Sequence, residues 1–161
     1  MKEATQRSLD ALSQGINAEL ATYVFYKKAG EKITDPEFVS LMERLAGEEK
    51  DHYWTLEAEY DSLVRSEKWV TYNDILRKEG LPEVPEEMAE IHRRRLAELD
   101  RTDDPRKMLD MAIELEEHAR DFYQSQIGKA GDPLADDMFS FLAKFEQGHV
   151  NVITNWKKRI P

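Results

Sequence analysis

Cysteine is absent from the chain, which excludes disulfides, zinc fingers, thiol catalysis and any cysteine-ligated iron held by these residues alone. Glycine and proline are sparse, at seven and six of 161 residues. Little therefore interrupts a sequence rich in Ala, Glu, Leu, Lys and Arg, and helix is favoured throughout. Basic residues are in deficit, 23 against 33 acidic, and the formal charge of −10 argues against a nucleic-acid or anionic-membrane partner. No apolar run approaches the length of a membrane span, and the first residues, Met1 to Gln6, are polar. A single cytoplasmic domain covering 1–161, long enough to bury a full core, is expected.

What is present is helical periodicity. Leu9, Leu12, Ile16, Glu19, Tyr23, Tyr26, Gly30 and Ile33 step by three and four, predicting a first helix over about 4–33. Asp35-Pro36 reads as an N-cap followed by proline in the first turn. The second helix it opens carries Phe38, Met42, Leu45, Glu49, His52, Leu56, Glu59 and Leu63 on one face. The short turn between them predicts antiparallel neighbours. From about Arg65 to Asp104 the pattern weakens. Thr71 to Gly80 resembles a short capped helix, Pro82 and Pro85 interrupt the chain, and Glu86 to Leu99 can form another helix that includes Arg93-Arg94-Arg95, read as a solvated basic face. This stretch is expected to be a crossover along the bundle. Asp104-Pro105 opens the next long helix, with a seam of Leu109, Ile113, Glu116, Arg120, Tyr123, Ile127 and Ala130 ending at Gly131. Asp132-Pro133 opens the last, with Ala135, Phe139, Leu142, Glu146, His149, Ile153 and Trp156 inward.

The two halves repeat. Glu49-x-x-His52 recurs as Glu146-x-x-His149, and the same offset of 97 residues lays Glu116 on Glu19, Tyr123 on Tyr26, Leu109 on Leu12 and Asp132-Pro133 on Asp35-Pro36. Three residues are nearly one turn, so each Glu and His of a pair share a face and can hold one ion between them. Four carboxylates and two imidazoles from four core-facing seams make a di-metal ligand set: Glu19, Glu49, His52, Glu116, Glu146 and His149. Such O and N donors suit iron or manganese better than calcium, with zinc a possible substitute. The competing explanation is a salt-bridge network that fixes helix register. It needs cations, and Arg120 is the one basic seam residue against these acids and Glu59. Tyr26 and Tyr123 each lie seven residues beyond a lone Glu on the same face. They can donate hydrogen bonds to the ligand carboxylates, or simply be core tyrosines. His92 and His118 are expected at the surface, and Trp54, Trp69 and Trp156 in packing roles.

With Glu19, Glu49-x-x-His52, Glu116 and Glu146-x-x-His149, together with Glu116-x-x-Ala119-x-x-Phe122-Tyr123, the chain resembles the rubrerythrins within the ferritin-like di-iron carboxylate superfamily. The resemblance implies an all-α, ferritin-like antiparallel four-helix bundle with a long helical crossover between the second and third long helices. It implies two iron ions, with Glu19 and Glu116 as terminal ligands, Glu49 and Glu146 as bridges, and one histidine per iron. It implies an oxidoreductase that reduces hydrogen peroxide, a peroxidase role in oxidative stress. The lack of cysteine makes its electron donor a separate rubredoxin-like protein, and a homodimer is expected. The sequence departs from rubrerythrins at Ala119, where an additional Glu is usual. Bacterioferritin is the nearest competing family and would make the chain an oxygen-using ferroxidase, but its haem-ligating Met position is Lys50 here and its long fifth helix is missing. A non-catalytic, metal-stabilised helical module is the third reading.

Overall fold

The computed structural model describes residues 2–69 and 93–160, and among them every regular element is a helix. In chain order these are α1 (Glu3–Lys32), α2 (Pro36–Ser66), α3 (Arg93–Asp100), α4 (Pro105–Gln126) and α5 (Pro133–Lys157). No helix in the described residues is long and apolar enough to cross a membrane. The three Asp-Pro signals all start helices. The Asp35 carboxylate accepts from the Phe38 amide at 3.1 Å, Asp104 from Arg106 at 2.9 Å and Asp132 from Leu134 at 2.9 Å. Each satisfies one of the amides that the first turn leaves without an intrahelical partner, and proline at the next position has no amide to lose.

Cross-helix neighbours fix the directions. Gly15 faces Leu56 while Gly30 faces Met42, so α1 and α2 are antiparallel. Tyr26 meets Glu116 and Glu19 meets Tyr123, which makes α1 and α4 antiparallel as well. Asp110 pairs with Lys157 and Tyr123 stacks near Phe139, so α4 and α5 are antiparallel. Phe38 packs on Trp156 and His52 on Phe141, giving the same relation between α2 and α5. The four long helices thus form a closed ring of antiparallel neighbours, in which α2 and α4 run parallel. The expected short helix over 71–80, the breaks at Pro82 and Pro85, His92 and the side chains of residues 93–95 lie outside the described residues. Of the helix expected over 86–99, α3 is the described part, with Leu96 and Leu99 buried.

Two apolar clusters fill the interior. One is built around Leu12, Ile16, Leu56, Tyr123, Phe139 and Leu142, the other around Phe25, Phe38, Met42, Leu45, Leu109 and Ile153. Along α2, α4 and α5 the converging Glu and His positions fall between them, and on α1 Glu19 falls at the edge of the first, between Ile16 and Leu20. The seam expected on α2 is buried at all eight positions, and that on α5 at all but the half-buried Trp156. On α1, Tyr23, Gly30 and Ile33 are only half-buried, and Ile33 lies just past the helix end. The seam of α4 differs more. Ala112 and Ala119 are buried, Ile113 and Arg120 are intermediate, and the helix ends at Gln126 rather than running to Ala130. Gly128 adopts φ 84°, a left-handed conformation that stops the helix, and leaves Ile127 43% exposed. Apolar spacing continued across the stop and the backbone did not.

Gly15 is the close approach on which the site depends. A Cβ there would sit 3.1 Å from both Leu56 Cδ1 and Tyr123 Cε1, so glycine lets the tyrosine ring lie against α1. Gly15→Val is expected to destabilise the fold by about 1–3 kcal/mol through overpacking. Urea denaturation measures this, and an unchanged midpoint would show that the ring can move aside freely.

Candidate metal centre

Glu19 of α1, Glu49 and His52 of α2, Glu116 of α4, and Glu146 and His149 of α5 converge in the layer between the two apolar clusters. None is more than 3% exposed. They form two overlapping groups, Glu19, Glu49, His52 and Glu146, and Glu49, Glu116, Glu146 and His149. Within each group one donor atom per residue lies within 4.8 Å of the others. Glu49 and Glu146 belong to both groups, while each lone Glu and each His belongs to one. Both histidines turn Nδ1 inward. His52 Nδ1 is 3.2 Å from Glu146 Oε1 and 3.6 Å from Glu19 Oε2. His149 Nδ1 is 2.8 Å from Glu49 Oε1 and 3.1 Å from Glu116 Oε1.

The tyrosines are buried and bonded, but across the ring rather than along their own helices. Tyr26 donates to Glu116 Oε1 at 2.6 Å, and Tyr123 donates to Glu19 Oε1 at 2.6 Å. Seven residues along a helix span about 10 Å, too far for a side chain to reach the lone Glu of its own helix directly. Antiparallel packing of α1 on α4 brings each phenol to the other helix's acid instead. Burial first, and then the charges of Glu116 on Tyr26 and of Glu19 on Tyr123, push both phenols well above their ordinary range. They therefore remain protonated donors. Each holds one oxygen of a lone Glu and leaves Oε2 without a hydrogen-bond partner.

Five of the eight carboxylate oxygens in this layer have no hydrogen-bond partner: Glu19 Oε2, both oxygens of Glu49, Glu116 Oε2 and Glu146 Oε2. Among the described residues no Lys or Arg pairs with these four acids. Arg120, the one cation on the expected seams, instead donates to Gln147 Oε1 at 2.7 Å and bonds Asp121. An uncompensated buried carboxylate costs several kcal/mol, so such a layer persists only with protons or cations in it. Four carboxylates and two neutral imidazoles balance two divalent ions in charge, and O and N donors aimed at a common interior suit transition metals. The residues therefore fit a two-metal centre in donor chemistry. His118 is exposed, and Trp54 and Trp69 are buried in packing roles.

Glu48 is the residue that the periodic reading passes over. It lies one position off the seam, yet its Oε2 is 2.6 Å from His149 Nε2, and Arg44 supports its other oxygen at 3.3 Å. The signal available in the sequence is a break in the repeat, since the 97-residue offset lays Phe141 on Arg44 and Phe145 on Glu48. No family model, curated protein or solved structure matches the chain.

Without metal, protons balance the layer. Burial first, and then the charges of Glu116 and neighbouring acids, raise Glu49 and Glu146 well above 4.5. For His149, burial acts downward, but hydrogen bonds to Glu116, Glu146 and Glu48 prevail and raise it to about 11. For His52, burial also acts downward, and Glu19 outweighs it. Burial pushes Glu19 up, but Glu49, His52 and Tyr123 together hold it at about 2, and Glu116 is likewise held low against burial by Glu146 and His149. Groups raised on folding contribute stability that is complete below their unfolded values of 4.5 and 6.5 and is lost as pH rises through their folded ones. Groups held low contribute above 4.5 and lose that contribution as pH falls, through about 2 for Glu19. The metal-free protein is therefore expected to be most stable near about pH 5 and to lose stability steadily toward pH 9. Melting temperatures across that range check it, and a flat or rising profile would contradict the charge assignment.

Proposed function

We propose that the chain is a rubrerythrin-like di-iron oxidoreductase on a ferritin-like four-helix bundle, reducing hydrogen peroxide with electrons from a separate rubredoxin-like donor. The observation that carries this reading is the pair of four-residue donor groups that share Glu49 and Glu146 in a sealed layer. Glu19 and His52 would hold one iron and Glu116 and His149 the other, with Glu49 and Glu146 between them. Iron bound in this layer supplies two-electron redox chemistry and Lewis acidity toward a peroxide oxygen.

The chain's own contribution is orientation and exclusion. Tyr26 and Tyr123 fix the two lone glutamates from opposite helices, so each presents a free Oε2 inward. Imidazole Nδ1 atoms face the layer from the α2 and α5 side, while the phenols approach from the α1 and α4 side. Leu12, Leu56 and Leu142 on one flank, and Leu45 and Leu109 on the other, are fully buried and keep bulk water from the carboxylates. Ala119, also buried, puts no carboxylate one turn beyond Glu116. A small oxidant suits so closed a layer better than a bulky substrate.

Two tests separate the alternatives. Anomalous scattering from the iron-loaded protein should give two peaks about 3.5–4 Å apart between the four long helices. Stopped-flow mixing of one diferrous sample with peroxide and with oxygen should show faster oxidation by peroxide, with an advantage narrowed by the absence of an acid at Ala119. Faster oxidation by oxygen, followed by repeated turnover and ferric mineral, would assign a ferritin-type ferroxidase. Full occupancy with neither reaction would assign a structural metal.

A further inference from the structure

The internal repeat is kept at every inward donor and broken immediately outside them. On the His149 side, Glu48 Oε2 lies 2.6 Å from His149 Nε2, and Arg44 Nε lies 3.3 Å from Glu48 Oε1. At the equivalent places around His52 the pair is aromatic. Phe145 meets the His52 ring at 4.4 Å between centroids, edge to face, and Phe141 meets Phe145 at 5.7 Å. The contacts correspond one for one under the 97-residue offset: Glu48 to His149 with Phe145 to His52, and Arg44 to Glu48 with Phe141 to Phe145. The His149 imidazole has a partly exposed carboxylate on Nε2 and the Phe145 ring edge-on at 5.1 Å, while the His52 imidazole is backed by Phe145 and Phe141, both partly buried.

An imidazole that offers Nδ1 inward carries its proton on Nε2, and a carboxylate accepting that proton fixes the tautomer and ring plane and makes Nδ1 a stronger donor. A phenyl ring orients by packing alone and adds no charge. We infer that the two metal positions are inequivalent, that the ion held by His149 binds first and more tightly, and that Glu48 is the positioning residue that sets this order. The inference rests on the two-metal reading of the site. It does not follow from mutual repulsion of the ions, because repulsion makes the second ion weaker wherever the first one lands, whereas Glu48 decides which position fills first.

Zinc(II) titration of protein carrying 15N-labelled histidine tests both statements separately, since the ion is redox-inert and each imidazole nitrogen reports its own bond. With one equivalent, the Nδ1 signal of His149 should move to its metal-bound position while His52 stays unchanged until the second equivalent. Glu48→Gln keeps the size and removes the charge on a partly exposed surface. It should weaken the first ion by roughly tenfold to a hundredfold, shift the His149 Nε2 signal and abolish the order of filling. The double change Phe141→Arg, Phe145→Glu installs the missing pair behind His52 and should bring the two histidines into step. Wild-type histidines responding together, or an order unchanged in Glu48→Gln, would overturn the inference while leaving two-metal binding intact. Uptake of fewer than two zinc ions would overturn the two-metal reading and the inference with it.

Discussion

Repulsion among four carboxylates confined to one dry layer is the constraint that the rest of the molecule answers. Glu19, Glu49, Glu116 and Glu146 come from four different helices, so no local rearrangement of one segment relieves it. Protons relieve part of it, by moving onto Glu49 and Glu146 and by keeping both imidazoles charged. Two phenols relieve another part by giving hydrogen bonds to the lone acids. What is left is five oxygens with no hydrogen-bond partner, a cost that packing alone does not justify. A hydrophobic layer of the same volume would be as stable or more so, so apolar packing does not account for the polarity.

The apolar clusters on either side support that layer mechanically. Each is assembled from all four long helices, so the donor layer is clamped above and below by side chains such as Leu12, Phe139, Met42 and Leu109. Rigid helices with packed flanks hold donor atoms to tighter tolerances than loops do. Gly15 belongs to the same design, because the ring of Tyr123 reaches Glu19 only where α1 has no side chain in the way.

Much of this was legible in the sequence because the strongest signals were local. Three Asp-Pro pairs start three helices, and the α2 and α5 seams read correctly because Glu and His replace apolar residues without breaking the period. The convergence of Glu19, Glu49, His52, Glu116, Glu146 and His149 on one buried layer was legible for the same reason. The end of α4 was not, since Ile127 extends the apolar spacing while Gly128, one residue later, turns the backbone. Arg120 was placed on the seam by spacing, but its long side chain reaches out to Gln147. Glu48 was missed because a helical seam counts where a Cβ points, whereas a glutamate one step off it can still reach an imidazole on the facing helix. The partners of the tyrosines depend on how α1 packs against α4, a long-range fact that no window of one helix contains.

The exchanged phenol bonds also describe how the two halves belong together. Tyr26 completes an acid of the second half and Tyr123 an acid of the first, both at 2.6 Å. Each helix pair takes the phenol on its lone glutamate from the other pair, so the layer is common property, divided by a pseudo-dyad through the interior. Two copies of either helix pair, set face to face about a true twofold axis, would recover both bonds by the same exchange. Covalent linkage of the halves then has a distinct consequence: within one chain the two halves need not be identical, and with Arg44 and Glu48 standing where the other half has Phe141 and Phe145, a layer that a symmetric dimer must keep uniform has a left flank and a right flank.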